Sequence, residues 1–453
     1  MRGPLALEIG LARAAAGLSR LAGAGGGTTL PGKLLWKLDP SAVDRLAARL
    51  PCGSALISAT NGKTTTAAMA ARILEPTVRL AHNRAGANLV SGVASALLAA
   101  RDAELGLFEV DEAALPEVAS RLSPRAVSLG NLFRDQLDRY GELELLAGRW
   151  RRLARDLPPE AVLVANGDDP QLGEIALERP GSVVFGLDDP RQASPTLQHA
   201  ADSKWCVRCG ARYAYTAVYL GHLGDWSCPA CGDARPQPSV TAREIQTDGL
   251  DAVGFRLCTP AGDVAVRLPL PGVYNVYNAL AAAALALELG AGLEQVRAGL
   301  ERFSAAFGRF ERIDLGGGEA VLLLVKNPAG GNEVIRTLAA DEAQKRMLIA
   351  LNDRIADGRD VSWIWDVDFE RLAPQIGSVI CCGTRAAEMA MRLKYAGVAL
   401  DRIEVPTDMD EALDRLVAAG GSSYLLATYT AMLDLRGRLE QRGLVLPFWQ
   451  EAA

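Results

Sequence analysis

The sequence has no hydrophobic run that approaches the roughly 20 consecutive apolar residues of a bilayer-spanning helix. It also lacks a basic surplus, since its net charge is −6, which argues against a nucleic-acid-binding protein for the chain as a whole. We find no internal repeats and no low-complexity tail. What remains, 49% hydrophobic and 23% charged residues, is typical of a soluble globular protein. At 453 residues the chain is too long for one ordinary core, which predicts two or three domains.

The first residues resemble a signal peptide only weakly. Glu8 and Arg13 interrupt their apolar stretch, and a Gly-rich segment, GAGGG, follows. Four of the eight cysteines form sequence pairs, and the others lie singly or adjacent in apolar contexts, which is typical of a reducing compartment. We therefore expect a cytoplasmic protein.

From Gly53 onward, short apolar runs alternate with helical stretches, which indicates parallel βαβ units and an α/β fold. Paired cysteines and aromatic residues interrupt this alternation at 200–238, so we interpret that segment as an insertion. A second αβ series begins near residue 318. The predicted organisation is an N-terminal segment (1–50) packed on a central domain (51–310), the insertion (200–238) within that domain, and a C-terminal α/β domain (311–453).

The stretch LISATNGKTTT (56–66) places a lysine and several threonines between an apolar strand and a helix start. Unpaired N–H groups and the helix dipole attract an anion there. Gly62 lets the backbone approach a phosphate, Lys63 can reach the β- and γ-phosphates, and Thr64 offers a hydroxyl to Mg²⁺. The full G-x-x-x-x-G-K-[ST] pattern fails because Ile57 stands at its first position, and a chance GKT is the alternative. We predict a nucleotide site formed by Thr60, Asn61, Gly62, Lys63, Thr64 and Thr65.

Polar residues follow the next two apolar strands, where an open α/β sheet gathers its ligands. They lie in FEVDEAALPE and NLFRDQLDRYGELE and comprise Glu109, Asp111, Glu112, Asn131, Asp135 and Asp138. Carboxylate oxygens are suitable ligands for the magnesium of a nucleotide. A solvated acidic turn is the alternative.

The insertion carries the spacing C-x₂-C-x₁₈-C-x₂-C, with Cys206, Cys209, Cys228 and Cys231. This spacing predicts a tetrahedral Cys₄ zinc ribbon, in which each C-x-x-C-G forms a knuckle. A site without an open coordination position would be structural, and the metal would supply much of the folding energy. Two disulfides or a redox dithiol pair are the alternatives. Zinc ribbons often bind nucleic acid, but this insertion has a poor phosphate-binding face.

Several motifs occur together in the order of the Mur ligase superfamily, which the chain resembles over about residues 50–330. They are TNGKTTT, EVDE, N-x-x-x-D-x-L-D-R-Y-G, NGDDP (166–170), NVYNALAA (275–282) and GRFE (308–311). The resemblance implies a P-loop central domain, a Rossmann-like C-terminal domain and amide-bond formation through an ATP-derived acyl phosphate. It also implies residue roles: Lys63 and Thr64 contact triphosphate and magnesium, and Glu109 or Glu112 holds a second magnesium. Asn278 would face the adenine and Arg309 the ribose or phosphates, while Asn275 is a weaker assignment.

The chain departs from the superfamily pattern at several positions. Ala59 stands where glycine is usual, and Gln136 replaces the histidine of a D-H-L-D motif. Arg149 and Trp150 occupy a stretch in which many Mur ligases carry a carbamylated lysine. VKNPAGGNE keeps Lys326 but lacks the aspartate of D-S-K-A-T-N. These differences indicate that the incoming nucleophile is not an ordinary amino acid.

A cysteine insertion together with LNDRIADGRDVSWIWDVDFE (351–370) resembles the MurT family, the synthetase subunits of lipid II isoglutaminyl synthase. The resemblance implies ATP-dependent amidation of the D-glutamate α-carboxyl in the peptidoglycan stem of lipid II at the membrane surface. Ammonia would come from a separate glutamine amidotransferase subunit of the GatD type, as a heterodimer. The chain has three histidines (His82, His199 and His222) and no cysteine in a nucleophile context, so a glutaminase on this chain alone is not expected.

By the same resemblance, one aspartate of 351–370 completes a Cys–His–Asp arrangement with residues of the partner. Its carboxylate would orient the histidine. We predict Asp353, which follows the strand end directly, ahead of Asp357 and Asp360. A solvated turn over an aromatic core is the alternative.

Two other functions stay open at this point. A free-standing Mur or folylpolyglutamate-type amino-acid ligase would share most of the motifs, but the altered lysine and histidine positions argue against it. A zinc-ribbon scaffold that uses a nucleotide only as a switch would belong to a different class. The negative net charge and the number of ligase motifs argue against that hypothesis.

Overall fold

The computed structural model describes residues 30–39, 41–83, 87–135, 143–194, 196–197, 201–304 and 310–446. Within these ranges the chain forms two mixed sheets flanked by helices, and a separate two-stranded hairpin. The α/β class predicted from the sequence is confirmed. No helix in the described ranges combines the length and the apolar character needed to cross a bilayer.

The strands of the first half are β1 (Ser54–Ser58), β2 (Leu80–His82), β3 (Leu105–Glu109), β4 (Ala126–Leu129), β5 (Val162–Asn166), β6 (Val183–Leu187), β7 (Ala214–Leu220), β8 (Leu223–Ser227), β9 (Val240–Asp248), β10 (Ala252–Thr259) and β11 (Gly262–Leu268). β7 and β8 form an antiparallel hairpin that is separate from the large sheet. The others form one sheet in the order β11–β10–β9–β6–β5–β4–β1–β3–β2. β10 and β11 run antiparallel to their neighbours, and the remaining pairs are parallel.

The helices of this half are α1 (Leu30–Leu38), α2 (Ala42–Ala47), α3 (Lys63–Leu74), α4 (Val90–Ala99), α5 (Leu115–Leu122), α6 (Leu143–Asp156), α7 (Pro170–Leu177), α8 (Val273–Glu288) and α9 (Leu293–Glu301). α1 packs on α4, with Gly32 so close to Ser91 that a Cβ at Gly32 would lie 1.8 Å from its carbonyl oxygen. The described end of the N-terminal segment therefore lies on the central domain.

The second sheet contains β12 (Glu311–Asp314), β13 (Glu319–Leu324), β14 (Lys345–Ala350), β15 (Ile376–Cys382), β16 (Ile403–Glu404) and β17 (Ser423–Ala427). Their order is β12–β13–β17–β14–β15–β16, and only the β12–β13 pair is antiparallel. The helices of this half are α10 (Pro328–Ala339), α11 (Ala386–Tyr395), α12 (Met409–Ala419) and α13 (Tyr429–Gln441). The predicted boundary at 310–311 falls between α9 and β12.

The alanine-rich helix α8 brings the later part of the central domain to the loop after β1. Its side chains from Val276 to Ala286 are all buried, and it packs on α3 and on the sheet. Alanine side chains permit this close approach at little cost in side-chain entropy. The packing places Asn278 beside Gly62.

The loops after β1, β3 and β4 meet at one edge of the first sheet, because these three strands are parallel neighbours. Polar groups from loops at the carboxyl ends of parallel strands converge in this way in open α/β sheets. The segment after β13 reaches the same place from the second sheet, through Lys326 and Asn327. This convergence defines the candidate site.

Candidate functional site

The loop between β1 and α3 has the form expected of an anion-binding turn. Gly62 has φ of +85°, and a Cβ at this position would lie 2.0 Å from Oδ1 of Asn278. Both the left-handed backbone and the crowding require glycine. Thr64 and Thr65 lie in the first turn of α3, whose N–H groups lack intrahelical partners. The helix continues through AAMAARIL, a strong helix-forming stretch, and ends before Pro76.

Lys63 is buried and makes an ion pair with Glu112, with Nζ 2.6 Å from Oε2. Its Nζ also donates to the carbonyl oxygen of Ala59, at 2.5 Å. Burial alone would lower the pKa of Lys63, but the charge of Glu112 raises it above its usual value. Burial likewise opposes ionisation of Glu112, yet the charges of Lys63 and Lys326 hold its pKa below the usual range. Both groups are therefore charged at neutral pH.

Thr64 and Glu109 form a second pair beside the first. The Thr64 hydroxyl donates to Oε1 of Glu109, at 2.7 Å. Asn83 holds the main chain of Glu109 in place, because its side chain accepts from the N–H of Glu109 and donates to the main-chain carbonyl oxygen. Oε2 of Glu109 is buried, and none of the described residues makes a hydrogen bond to it. An orphaned carboxylate oxygen next to a threonine hydroxyl is a donor set suited to Mg²⁺, which agrees with the predicted roles of Thr64 and Glu109.

The loop after β4 holds the phosphate loop from the other side. Asn131 accepts from the N–H of Asn61 at 2.9 Å and donates to its carbonyl oxygen at 3.0 Å. The Thr60 hydroxyl accepts from the N–H of Phe133 at 3.1 Å. Asp135 pairs with Lys326, which also donates to the carbonyl oxygen of Thr60 at 3.2 Å. Gln136 and Asp138 lie outside the described residues.

The second sheet closes over the site through Asn327, which sequence reasoning missed. Its side-chain amide donates to Oδ1 of Asn61 at 3.0 Å, and its own Oδ1 caps α10 by accepting from Gly330. The segment VKNPAGGNE was treated only as a departure from the superfamily pattern. An Asn-Pro pair before a helical stretch is a usable N-cap signal. No local sequence pattern indicates that Asn327 contacts Asn61.

A cavity of about 120 Å³ opens next to the phosphate loop, between the two sheets. Asn61, Gly62, Thr65, Asn278 and Lys326 line its polar side. Leu220, Leu223, Leu323, Tyr274 and Tyr277 are among the residues of its apolar side. A larger cavity of about 620 Å³ lies at the other end of α10, beside Arg312 and Arg336, and the phosphate-loop residues do not line it. Of the two, the smaller cavity is the one that adjoins the phosphate loop and Asn278.

Asn278, the predicted adenine contact, is buried and lines this cavity. Its amide donates to Oδ1 of Asn275 at 3.0 Å, and Asn275 in turn donates to the carbonyl oxygen of Pro271. Asn275 therefore orients Asn278 and turns its own amide away from the cavity. Arg309, the other predicted nucleotide contact, lies outside the described residues.

Trp150 lies under the acidic edge of the site. Its indole is fully buried on α6 and its N–H donates to the carbonyl oxygen of Glu112, at 3.0 Å. Arg149, next to it, is exposed. In the stretch compared with a carbamylated lysine, the buried side chain is thus an uncharged ring that fixes the backbone of Glu112.

The four cysteines of the insertion come together at one point. Cys206 and Cys231 Sγ are 3.6 Å apart, Cys209 and Cys228 Sγ are 3.4 Å apart, and all four lie within 4.8 Å of one another. Tetrahedral zinc with Zn–S bonds of about 2.3 Å requires S···S separations of about 3.8 Å. In each knuckle a glycine of positive φ follows the second cysteine, Gly210 in one and Gly232 in the other. The donor set and spacing are suited to a structural metal ion.

The three candidate aspartates of 351–370 have different surroundings. Asp357 is buried and accepts from both the N–H and the hydroxyl of Thr430, so it is structural. Asp360 is exposed and accepts from the N–H of Ser362, at 2.8 Å. Asp353 is half-buried, and a hydrogen bond from the Thr384 hydroxyl and the charge of Arg385 lower its pKa. Asp353 and Asp360 therefore stay accessible to a partner.

Comparison with known proteins identifies the family of the chain. The MurT ligase C-terminal family model matches residues 324–432, and the Mur ligase middle domain model matches residues 57–207. The MurT subunit of lipid II isoglutaminyl synthase from Streptococcus pneumoniae is 31% identical over 435 residues, 94% of this chain and 95% of that subunit. The MurT subunit from Staphylococcus aureus is 31% identical over 96% of this chain and 97% of its own length.

Solved structures share the fold at lower identity. A pseudomurein peptide ligase type C from Methanothermus fervidus superposes with a TM-score of 0.70 at 21% identity, covering 88% of this chain and 80% of that one. MurF ligase from Thermotoga maritima, in complex with ADP, gives a TM-score of 0.64 at 14% identity, with 91% and 85% covered. The Mur ligase-like fold predicted from the motifs is confirmed. The chain belongs to the MurT family, the synthetase subunits of lipid II isoglutaminyl synthase.

Proposed function

We propose that this chain is the synthetase subunit of a glutamine-hydrolysing amidating ligase. It uses ATP to activate the α-carboxyl of D-glutamate in the peptidoglycan stem of lipid II, and ammonia converts the acyl phosphate to D-isoglutamine. The 31%-identical relatives are subunits of lipid II isoglutaminyl synthase (glutamine-hydrolysing), which supports the substrate and the reaction. The free cysteines among the described residues are consistent with a cytoplasmic enzyme.

The observation that carries the proposal is the convergence of two lysines on the phosphate loop. Lys63 follows a strand of the first sheet, and Lys326 follows a strand of the second. The positive charges of both lower the pKa of Glu112. Two fixed cations where a phosphoryl group is transferred stabilise the negative charge that develops in the transition state. A nucleotide phosphate would take over from Glu112 as the partner of Lys63.

The carboxylates of the site would take part in binding the magnesium ion. Thr64 and Glu109 are the residues that would hold Mg²⁺, since they pair with each other and leave one buried carboxylate oxygen unused. The ion, when bound, neutralises phosphate oxygens. Glu112 lies next to this pair and is held by Trp150 and Lys63, so it serves as the second acidic group of the site.

Among the described residues we find no site for glutamine hydrolysis, so ammonia would come from another subunit. Nδ1 of His82 donates to the carbonyl oxygen of Leu107 within the sheet, and His222 is fully buried, so neither is placed for glutamine hydrolysis. His199 lies outside the described residues. A glutamine amidotransferase subunit of the GatD type would supply the ammonia. Asp353 is our choice for the residue that completes the partner's catalytic arrangement. Exposed Ile355 and Tyr429 lie on neighbouring stretches of the same domain, which gives a partner apolar surface there.

ADP release tests the proposal. The purified chain with its amidotransferase is mixed with lipid II, Mg²⁺ and ATP, and either ammonium or glutamate is added. We expect ammonium-dependent ADP release, with amidated lipid II identified by mass spectrometry. Glutamate-dependent turnover without ammonium would overturn the amidation assignment in favour of an amino-acid ligase.

A further inference from the structure

The inserted hairpin links the cysteine cluster to the nucleotide cavity. At one end, Tyr213 and Trp226 pack against Cys206 and Cys228. At the other end, Leu220 and Leu223 face each other across the tip and line the cavity beside Asn278. The apolar side of the cavity is thus partly made by a segment that the βαβ units of the central domain do not contain.

Hydrogen bonds join the hairpin to both halves of the molecule. The Trp226 indole N–H donates to the carbonyl oxygen of Gly167 at 3.0 Å, and the N–H of Gly224 donates to that of Asp168 at 2.9 Å. Arg336, on α10 of the second domain, donates to the carbonyl oxygen of Tyr219 at 3.0 Å. A hairpin held on three sides keeps its tip at a defined distance from the phosphate loop.

The turn of the hairpin packs directly on the segment that supports the phosphate loop. Gly221 has φ of +60°, and a Cβ there would lie 2.7 Å from the ring of Phe133. The fully buried ring of His222 lies 4.6 Å from the Phe133 ring, centroid to centroid. Phe133 in turn donates its N–H to the Thr60 hydroxyl. The turn therefore contacts Phe133, which in turn contacts Thr60 of the phosphate loop.

His222 also faces a carboxylate that holds the same segment. Its Nε2 is 3.4 Å from Oδ2 of Asp169, and that oxygen accepts from the N–H of Leu132 at 2.8 Å. Within the described residues neither ring nitrogen of His222 makes a hydrogen bond. The contribution of His222 is accordingly the shape of its ring, packed between Phe133 and Asp169.

We propose that the tip of the inserted hairpin is part of the nucleotide site: Leu220 and Leu223 contact the base of a purine nucleoside triphosphate, and His222 is a positioning residue that sets the 131–135 segment and the phosphate loop. The inference rests on the proposed function for the presence of a nucleotide site. It adds to that function a nucleoside wall contributed by the cysteine-bearing insertion.

Nucleotide affinity measured by calorimetry tests the direct contact. The probe is the Mg²⁺ complex of a non-hydrolysable ATP analogue, titrated into the zinc-loaded complex of both subunits without lipid II. Leu220→Trp fills the apolar side of the cavity and is expected to weaken binding by about tenfold or more. Tyr215→Phe is the matched control, since it removes the hydrogen bond to Ser203 near the cysteine end of the same hairpin and leaves the tip intact.

The positioning role of His222 has its own readout. His222→Ala is expected to raise the KM for ATP with little change in kcat, and His222→Phe is expected to restore the KM because it keeps a ring against Phe133. A melting temperature measured for each variant shows whether loss of fold accounts for loss of binding.

The outcomes separate the inference from the proposed function. If the wild-type complex binds no nucleotide, the proposed function fails at its first step and the inference falls with it. If the wild type binds but Leu220→Trp binds equally well, or if Tyr215→Phe weakens binding as much, only the inference is overturned. Failure of His222→Phe to restore the KM would overturn the positioning role.

Discussion

At the scale of single residues, we expect the buried ion pair of Lys63 and Glu112 to affect both the free energy of unfolding and ATP turnover. Lys63→Met removes the phosphate contact and leaves a buried carboxylate without its partner. We expect ATP turnover to fall by about a hundredfold or more, and the free energy of unfolding to fall by about 3–5 kcal/mol. ADP release and urea denaturation measure the two effects. Unchanged turnover in Lys63→Met would contradict the assigned role.

The double variant Lys63→Met/Glu112→Gln separates the two effects. It replaces both charges by neutral groups of similar shape, so most of the lost stability should return while turnover stays low. Because the pKa of Glu112 is lowered in the fold, its stabilisation is present above its ordinary pKa of 4.5 and is lost as pH falls through the folded-state value. The raised pKa of Lys63 means that its contribution is complete below 10.5 and is lost at higher pH. The double variant should therefore lose less stability than the wild type on acidification below pH 4.5.

Asp353 and Asp360 give a second test at this scale. Asp353→Asn is expected to spare ammonium-dependent amidation and to abolish the glutamine-dependent reaction, because only the latter needs the partner's catalytic arrangement. The lowered pKa of Asp353 keeps it ionised at neutral pH, as an orienting carboxylate must be. Asp360→Asn, on the same loop, is the control. Glutamine use that survives Asp353→Asn and is lost in Asp360→Asn would show that the wrong aspartate was chosen.

At the scale of elements, the sequence was most informative where contacts are local. The strand, loop and helix around Gly62 were predicted because glycine, lysine and threonine follow an apolar run within eleven residues. The four cysteines were predicted to meet because their spacing is typical of one geometry. The sequence did not predict that the hairpin between the knuckles reaches the nucleotide cavity. No local pattern in residues 214–227 distinguishes a tip that contacts Phe133 from one that faces solvent.

The hairpin also carries an element-scale prediction about metal. Cys209→Ser removes one of four thiolates, and we expect the purified chain to lose its zinc and the hairpin to lose order. Quenched or shifted fluorescence of Trp226 would report the second effect, with plasma emission spectrometry for the first. The matched control is Cys258→Ser, outside the cluster, which should keep full zinc. Equal metal content in Cys209→Ser and the wild type would refute a four-cysteine zinc site.

At the scale of the whole molecule, two sheets share one site. Asn61 and Asn327 pair across 266 positions of the chain, and Lys326 spans the same gap to Thr60. Contacts of this range depend on how the two halves dock, so the sequence showed that Lys326 is retained but predicted neither its role nor its position. The predicted division into domains remains a prediction, although the two sheets are separate units of strand pairing.

Lys326→Met tests whether this contact holds the halves together. Loss of the ion pair with Asp135 should favour a more open arrangement, and the radius of gyration from small-angle X-ray scattering should rise in the nucleotide-free state. Lys394→Met, on the exposed face of α11, provides the comparison because it makes no contact with the first sheet. An unchanged radius in Lys326→Met would show that closure depends on other contacts.

The indole of Trp150 has a consequence for the dependence of enzyme activity on dissolved carbon dioxide. Ligases that rely on a carbamylated lysine need dissolved carbon dioxide to build that group. Here Arg149 and Trp150 stand in the stretch compared with that lysine, and the indole of Trp150 already fixes the main chain of Glu112. Activity should therefore be the same in degassed buffer as in buffer supplemented with bicarbonate.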